Sequence, residues 1–93
     1  MKKLISSGDL VVATAGRDKG NYFLVVSVEN GLATIVNGKN RKVKTPKSKN
    51  VKHLMVLPAN IKQLADKIQS GKAVGNKTIH RQIAFQKQKL QED

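Results

Sequence analysis

The pair Asn30-Gly31 separates two runs of β-branched and aromatic residues, YFLVVSV at 22–28 and LATIV at 32–36. Both central residues of a type I′ turn need a positive φ, which Asn and Gly tolerate. The pair therefore predicts a β-hairpin between the two runs. The run at 32–36 is therefore expected to pair back on the run at 22–28 as an antiparallel strand.

Three further short segments complete the predicted sheet. Residues 10–13 precede the hairpin as a first strand, and Asn37-Gly38 opens a second turn into a strand at 41–45. Pro46 is expected to end that strand because proline lacks the N–H that a sheet ladder needs. Residues 52–57 form the last predicted strand. Five strands within about fifty positions are typical of a small barrel.

After residue 57 the apolar residues change to helical spacing. They fall at positions i, i+3, i+4 and i+7 and form one stripe, which comprises Ile61, Leu64, Ala65 and Ile68. We expect Asn60 to cap this helix, with Gln63 completing a capping box. Gly71 is expected to end it.

A second helix is predicted to begin near Asn76 or Thr78, and its polar end at 87–93 is expected to fray. Its weaker apolar stripe comprises Ile79, Ile83 and Leu90. About thirty residues of helix do not bury a core alone. The sequence thus predicts a mainly β fold with C-terminal helices: a small five-strand barrel over 1–57, followed by a helical extension over 58–93 packed on the barrel.

The charge of the chain is strongly positive and unevenly placed. The chain has eighteen Lys and Arg residues and six Asp and Glu residues, which gives a net charge of +12. Residues 39–53 contribute seven basic side chains and no acidic one. Such an excess in a small fold indicates a polyanionic partner. A membrane surface would call for an amphipathic basic helix, and this segment has no helical pattern, so nucleic acid is favoured.

Few residues are available for chemistry. The chain has no cysteine, and His53 and His80 are its two histidines, neither accompanied by paired carboxylates. We expect no enzymatic activity, no catalytic residue, no metal site, no cofactor and no small-molecule substrate. The start MKKLISSGDL lacks the apolar run of about 7–15 residues of a signal peptide, and no segment approaches the roughly 18 apolar residues of a membrane span. We therefore expect a cytoplasmic protein that is monomeric when free and makes no membrane contact.

The segment GRDKG at 16–20 is not a nucleotide-binding loop. A P-loop reads G-x-x-x-x-G-K-[ST] and leads into a helix. Here the glycines are one residue closer together, Asn21 follows Gly20, and a predicted strand comes next. The segment instead predicts a tight turn with Arg17 and Lys19 beside it.

The stretch GDLVVATAGRDKGNYFLVVSV resembles a KOW motif, with Gly8-Asp9 before a strand, Gly16 at the turn and Lys19-Gly20 leading into the next strand. The following ATIVNGKNRKVKTPKSKNVKHL looks like the turn, basic strand and final strand of the same proteins. The chain therefore resembles, over residues 8 to about 57, KOW-domain RNA-binding proteins of bacteria and a group of archaeal and eukaryotic large-subunit ribosomal proteins. Phe23 departs from the pattern, because many KOW motifs carry glycine there.

The resemblance implies an SH3-like five-strand barrel that binds structured RNA, often ribosomal RNA, and has no enzymatic activity. Lysine and arginine would hold phosphates and release counterions. The expected RNA-binding residues lie on the turn and in the basic segment: Arg17, Lys19, Lys39, Asn40, Arg41, Lys42, Lys44, Lys47, Lys49 and Lys52. Asn37 and Asn40 have two possible roles, in the turn or in contacts to bases and sugars.

The aromatic residues are too few for stacking a row of bases. Tyr22, Phe23 and Phe85 are the three rings of the chain, and we expect at most one of them, Tyr22, to be available. Readers of single strands stack successive bases on exposed rings, so recognition of folded RNA by shape and backbone is favoured. Two alternatives stay open: a protein-interaction KOW module of the transcription or translation machinery, and a general DNA-binding accessory protein.

Overall fold

The computed structural model describes residues 4–91, which form a five-stranded antiparallel sheet followed by two helices. The strands are β1 (Asp9–Ala13), β2 (Tyr22–Glu29), β3 (Leu32–Val36), β4 (Lys47–Asn50) and β5 (Leu54–Asn60), and the helices are α1 (Lys62–Gln69) and α2 (Asn76–Gln91). One 3-10 turn, Val51–His53, joins β4 to β5. The strand order is β4-β3-β2-β1-β5. A sheet of five strands followed by two helices is confirmed, although the fourth strand does not form where it was predicted.

The central hairpin forms as the sequence predicts. Asn30 and Gly31 have φ values of 53° and 78°, and Glu29 pairs with Leu32 on either side of them. The two positive φ values match the twist of the flanking strands. This turn sets the register of β2 and β3.

The predicted strand at 41–45 is wrong, because the fourth strand is β4, which begins after Pro46 instead of ending there. The backbone of the preceding segment is bonded to two asparagine side chains and to backbone groups within the same loop, instead of to a neighbouring strand. Asn37 Oδ1 accepts from the Arg41 N–H, and Asn76 Oδ1 accepts from the Val43 N–H. These donors are therefore taken by asparagines that the local pattern of residues 41–45 does not reveal.

The predicted cap at Asn60 is also wrong. Asn60 is the last residue of β5, and its amide donates to Asp9 Oδ1 at 2.9 Å and to the Ser7 carbonyl at 3.2 Å. The Asn60 side chain is thus hydrogen-bonded to the buried Asp9 carboxylate at the start of β1 and does not cap α1. The helix begins after Ile61, which makes no side-chain cap bond. Gly71, with φ of 79°, follows the helix end as predicted.

The last strand begins two residues later than predicted and continues past residue 57 to Asn60. It includes Pro58, which is tolerated because β5 is an edge strand of the sheet. Near the C-terminus, α2 extends through residues 87–91, which belong to the segment that was expected to fray. Residues 92 and 93, like residues 1–3, lie outside the described residues.

The central strands β1, β2 and β3 have buried side chains on both faces of the sheet. Along β2, Phe23 and Val25 alternate with Leu24 and Val26, so successive side chains enter different cores. The helix-side core contains residues of the strands and of both helices: Leu10, Leu24, Val26, Val36, Leu64, Ile79 and Ile83. The strand-side core contains residues of strands alone: Val11, Ala13, Phe23, Val25, Ala33, Ile35 and Leu54. The helices therefore cover one face, and side chains of the strands pack against one another on the other. Within residues 4–91, neither helix combines the length and the apolar character needed to cross a membrane.

The docking of α2 predicts a difference between two of its apolar residues. Ile79 is fully buried, whereas Phe85 is 58% exposed. Replacing Ile79 by Ala should lower the free energy of unfolding by about 3 kcal/mol, because it removes buried methyl groups and leaves a cavity. Phe85→Ala should change it by less than about 1 kcal/mol. Urea unfolding followed by circular dichroism measures both, and equal losses would show that α2 is not docked through Ile79.

Candidate nucleic-acid interface

Two connecting segments emerge from the same end of the sheet. Residues 14–21, the β1–β2 turn, are flanked by the pair Val12 and Tyr22. Residues 37–46, the basic loop, follow β3, whose Val36 pairs with Leu24 near the start of β2. Because antiparallel neighbours reverse direction, the turn and the basic loop lie side by side. We call this end of the sheet the turn end.

The carboxylate of Asp18 lies at the centre of the turn end. Asp18 is 2% exposed, although its neighbours Arg17 and Lys19 are exposed. Its Oδ2 accepts from Lys47 Nζ at 2.8 Å and from Arg41 Nη2 at 3.4 Å. The Lys47 hydrogen bond, aided by the nearby charges of Arg41, Lys47 and Lys49, holds the pKa of Asp18 below its ordinary value, and burial opposes this effect.

Lys49 makes a second connection to the same turn. Its Nζ donates to the Ala15 carbonyl at 2.9 Å and lies 4.0 Å from Asp18 Oδ2. The Lys49 side chain is only 10% exposed, so it lies across the turn end instead of extending into solvent. Three of the expected RNA-binding cations, Arg41, Lys47 and Lys49, thus join β4 and the basic loop to the turn.

Asn37 organises the basic loop. Its Oδ1 accepts from the backbone N–H groups of Lys39 and Arg41, both at 3.0 Å. Its amide nitrogen donates to Asn40 Oδ1 at 2.7 Å. Asn37 is buried and Asn40 is exposed. Of the two roles that the sequence left open, Asn37 has the one in the turn, since its side chain replaces backbone partners within the loop.

The basic loop is held against the start of α2. The Val43 N–H donates to Asn76 Oδ1 at 2.9 Å, and the Val43 side chain packs against the helix-side core. A Cβ placed on Gly38 would lie only 3.0 Å from the backbone nitrogen of His80. The backbone of the loop and the backbone of the helix are therefore in close contact. The position of α2 therefore fixes the position of the loop.

Five of the expected RNA-binding cations are exposed at this end of the sheet or on its loop. They are Arg17, Lys19, Lys39, Lys42 and Lys44. The chain has no acidic residue between positions 30 and 65, so the loop cations have no acid within their own segment. Lys52 is also exposed, but it lines a separate apolar groove together with Leu4, Met55 and Val56.

The second helix carries basic residues that the sequence analysis missed. Its exposed cations are Lys77, Arg81, Lys87 and Lys89. Residues 76–91 contain no Asp or Glu. This lack of acidic residues in the sequence could have indicated that the helix is a basic surface. Among these cations, Lys87 lies beside residues of the turn and of the basic loop, so its charge adds to that of the turn end.

A groove of about 360 Å³ lies between the turn, the basic loop and α2, and we call it the α2 groove. Asn21 and Tyr22 line one wall of it. The other walls comprise Lys39 and Asn40 of the loop together with His80, Ile83 and Lys87 of the helix. Lys87 Nζ lies 4.6 Å from the centre of the Tyr22 ring, which is within range for a cation–π contact.

The aromatic residues differ partly from expectation. Phe23 is fully buried in the strand-side core, and Tyr22 is half-buried at the α2 groove. Phe85 is 58% exposed, so the expectation of at most one available ring is wrong. The exposure follows from the apolar stripe of α2, which turns Ile79 and Ile83 toward the core and leaves Phe85 outside it.

The comparisons with known proteins add no relative: no family model matches the sequence, and no curated protein matches it. The assignment of a function therefore depends on the geometry and the charge of the turn end.

The ion pairs of Asp18 predict a pH-dependent contribution to stability. A carboxylate whose pKa is lowered by folding stabilises the fold above its ordinary pKa, and this contribution is lost as the pH falls through the lowered pKa. Asp18→Asn should therefore cost about 2 kcal/mol at pH 7, because it removes hydrogen bonds to charged partners. The difference from the wild type should shrink in acid.

Urea unfolding at pH 7 and at a series of acidic pH values measures this difference. Asp66→Asn is the matched control, because Asp66 is exposed on α1 and its replacement should change stability by less than about 0.5 kcal/mol. If Asp18→Asn is as stable as the wild type at pH 7, the Asp18 carboxylate does not hold the turn end together.

Proposed function

We propose that this protein binds structured RNA through the turn end of its sheet, with ribosomal RNA as the partner, and that it acts as a binding protein and not as an enzyme. The observation that carries the proposal is the set of exposed cations that the turn, the basic loop and α2 bring together. A local excess of positive charge without acidic residues attracts a polyanion.

The proposed fold is an SH3-like barrel of the KOW type. Two hydrogen bonds of the Val51–His53 turn support closure of the sheet: the Val51 N–H donates to the Gly31 carbonyl, and the His53 carbonyl accepts from the Thr14 N–H. They connect the β4–β5 link both to the central hairpin and to the end of β1. Among residues 4–91, the strand-side core contains no buried residue of α1 or α2, which is what the interior of a small barrel requires.

The contacts divide the expected RNA-binding residues into two groups. Arg41, Lys47 and Lys49 hold Asp18 and so shape the surface. The exposed cations of the turn and the basic loop are the ones that would meet phosphates. In this proposal the shape of the turn end selects folded RNA, and the exposed charges supply the affinity.

A protein-interaction role in the transcription or translation machinery is the second candidate function. The apolar groove beside the Val51–His53 turn favours it, because Leu4 and Met55 are exposed there. RNase treatment of a cell lysate separates the two roles. An association that depends on RNA should be lost after treatment, whereas a direct protein contact should remain.

Charge removal on the basic loop should weaken RNA binding. Lys42→Gln combined with Lys44→Gln removes two exposed charges, so the slope of log K against log salt should become shallower by about two. Filter binding or fluorescence anisotropy with a structured ribosomal RNA fragment, repeated over a salt series, measures the slope.

Lys62→Gln combined with Lys67→Gln is the matched control. Both lysines are exposed on α1, and Lys62 lies near Gly8, at the end of β1 away from the turn. This variant should keep most of the slope. Equal changes in the two double variants would mean that binding depends on net charge and not on the turn end.

The ribosomal partner predicts co-sedimentation. The protein should travel with ribosomal particles in a lysate gradient at low salt and should be released at high salt, because phosphate contacts weaken with ionic strength. Immunodetection across the gradient fractions measures this. Migration as a free protein at low salt would contradict the ribosomal assignment.

A further inference from the structure

The α2 groove combines one aromatic ring with cations and amides from three segments of the chain. Its volume of about 360 Å³ lies at the lower end of small-molecule sites, which span about 300–1,000 Å³. A space of this size suits one nucleotide and not a base pair within a duplex. The ring belongs to Tyr22, and the Lys87 ammonium group lies over it.

From this arrangement we infer that the α2 groove binds one unpaired nucleotide of a folded RNA, with its base against the Tyr22 ring and its phosphate between Lys39 and Lys87. This inference rests on the proposed RNA-binding function and goes beyond it, because it assigns a base contact to a surface otherwise proposed to read shape and phosphates.

The Tyr22 ring provides the stacking face. Lys87 Nζ lies 4.6 Å from the ring centre, so the ring presents a face to the groove and not only an edge. A base that enters stacks on this face in place of the ammonium group. The long, flexible Lys87 side chain then pairs with the phosphate of the same nucleotide, so its positive charge keeps a partner.

Amide groups beside the ring can hydrogen-bond the edge of the base. Asn21 supplies both a donor and an acceptor. Asn40 already accepts from Asn37 through its Oδ1, so what it offers to a ligand is the N–H groups of its amide. Lys39 belongs to the same loop as Asn40 and lines the same groove. The groove therefore pairs an apolar face with polar groups at its rim, which is how unstacked bases are held.

A single ring favours one base and not a single strand. The other exposed ring, Phe85, does not line the groove. Stacking on one ring is tolerant of base identity, so the expected ligand is a bulged or junction nucleotide of any sequence next to paired RNA. The paired part meets the exposed cations of the turn and the basic loop.

The test compares three RNA hairpins: one with a single bulged nucleotide, one with an abasic residue in the bulge, and one without the bulge. The wild type should bind the bulged hairpin roughly tenfold or more tightly than the abasic one. Tyr22→Phe should keep this preference. Tyr22→Leu should lose it while its affinity for the hairpin without a bulge stays unchanged.

Tyr22 also provides a direct spectroscopic readout, because the chain has one tyrosine and no tryptophan. Stacking of a base should quench its fluorescence with the bulged hairpin and not with the abasic hairpin, which absorbs nearly the same light and so corrects for absorption by RNA. Lys87→Ala is a second variant that leaves the core in place, since Lys87 is exposed. It should weaken binding of the bulged and the abasic hairpin to a similar degree relative to the hairpin without a bulge, because both of them keep the phosphate that Lys87 is proposed to hold.

The outcomes separate this inference from the proposed function. Equal binding of the bulged and abasic hairpins by the wild type, without selective quenching, overturns the nucleotide site and leaves the RNA-binding proposal standing. Absence of binding to all three hairpins and to ribosomal RNA fragments overturns both. The site is supported if quenching is selective for the bulged hairpin, if Tyr22→Leu loses the preference for the bulged over the abasic hairpin, and if Lys87→Ala weakens both of these hairpins relative to the one without a bulge.

Discussion

The buried carboxylate of Asp18 is the interaction on which the shape of the turn end depends. It joins three cations from β4 and the basic loop to a turn with which neither segment forms a sheet pair. Because the charge of Asp18 is buried, it needs these partners in place. The turn and the loop consequently lie side by side, and their remaining cations point outward.

The second helix links the core to the proposed interface. Ile79 and Ile83 pack into the helix-side core, Asn76 holds the basic loop, and Lys87 extends to the Tyr22 ring. One helix thus covers an apolar face of the sheet, positions a loop and contributes charge. A sheet without this helix would expose part of the helix-side core, including buried side chains of β2 against which α2 packs.

The parts of the fold that local signals determine were predictable from the sequence. The Asn30-Gly31 hairpin and the apolar stripe of α1 depend on neighbouring residues, and both are confirmed. The strand at 41–45 was wrong because Asn37 and Asn76 bind its backbone, and Asn76 is more than thirty positions away. The cap at Asn60 was wrong because Asp9, distant in sequence, takes its side chain.

The candidate site was predictable only as a collection of charges. Composition located the basic segment, but it did not distinguish the cations that bind Asp18 from those that face solvent, because Asp18 looked like an ordinary turn residue. The groove at Tyr22 requires three segments that meet only in the folded chain. The central claim is that the turn end is the RNA-binding surface, and an amide chemical-shift map with a structured ribosomal RNA fragment tests it most directly. The largest shifts should fall in residues 16–22, 37–45 and 80–87, whereas largest shifts in α1 and β5 would contradict the claim.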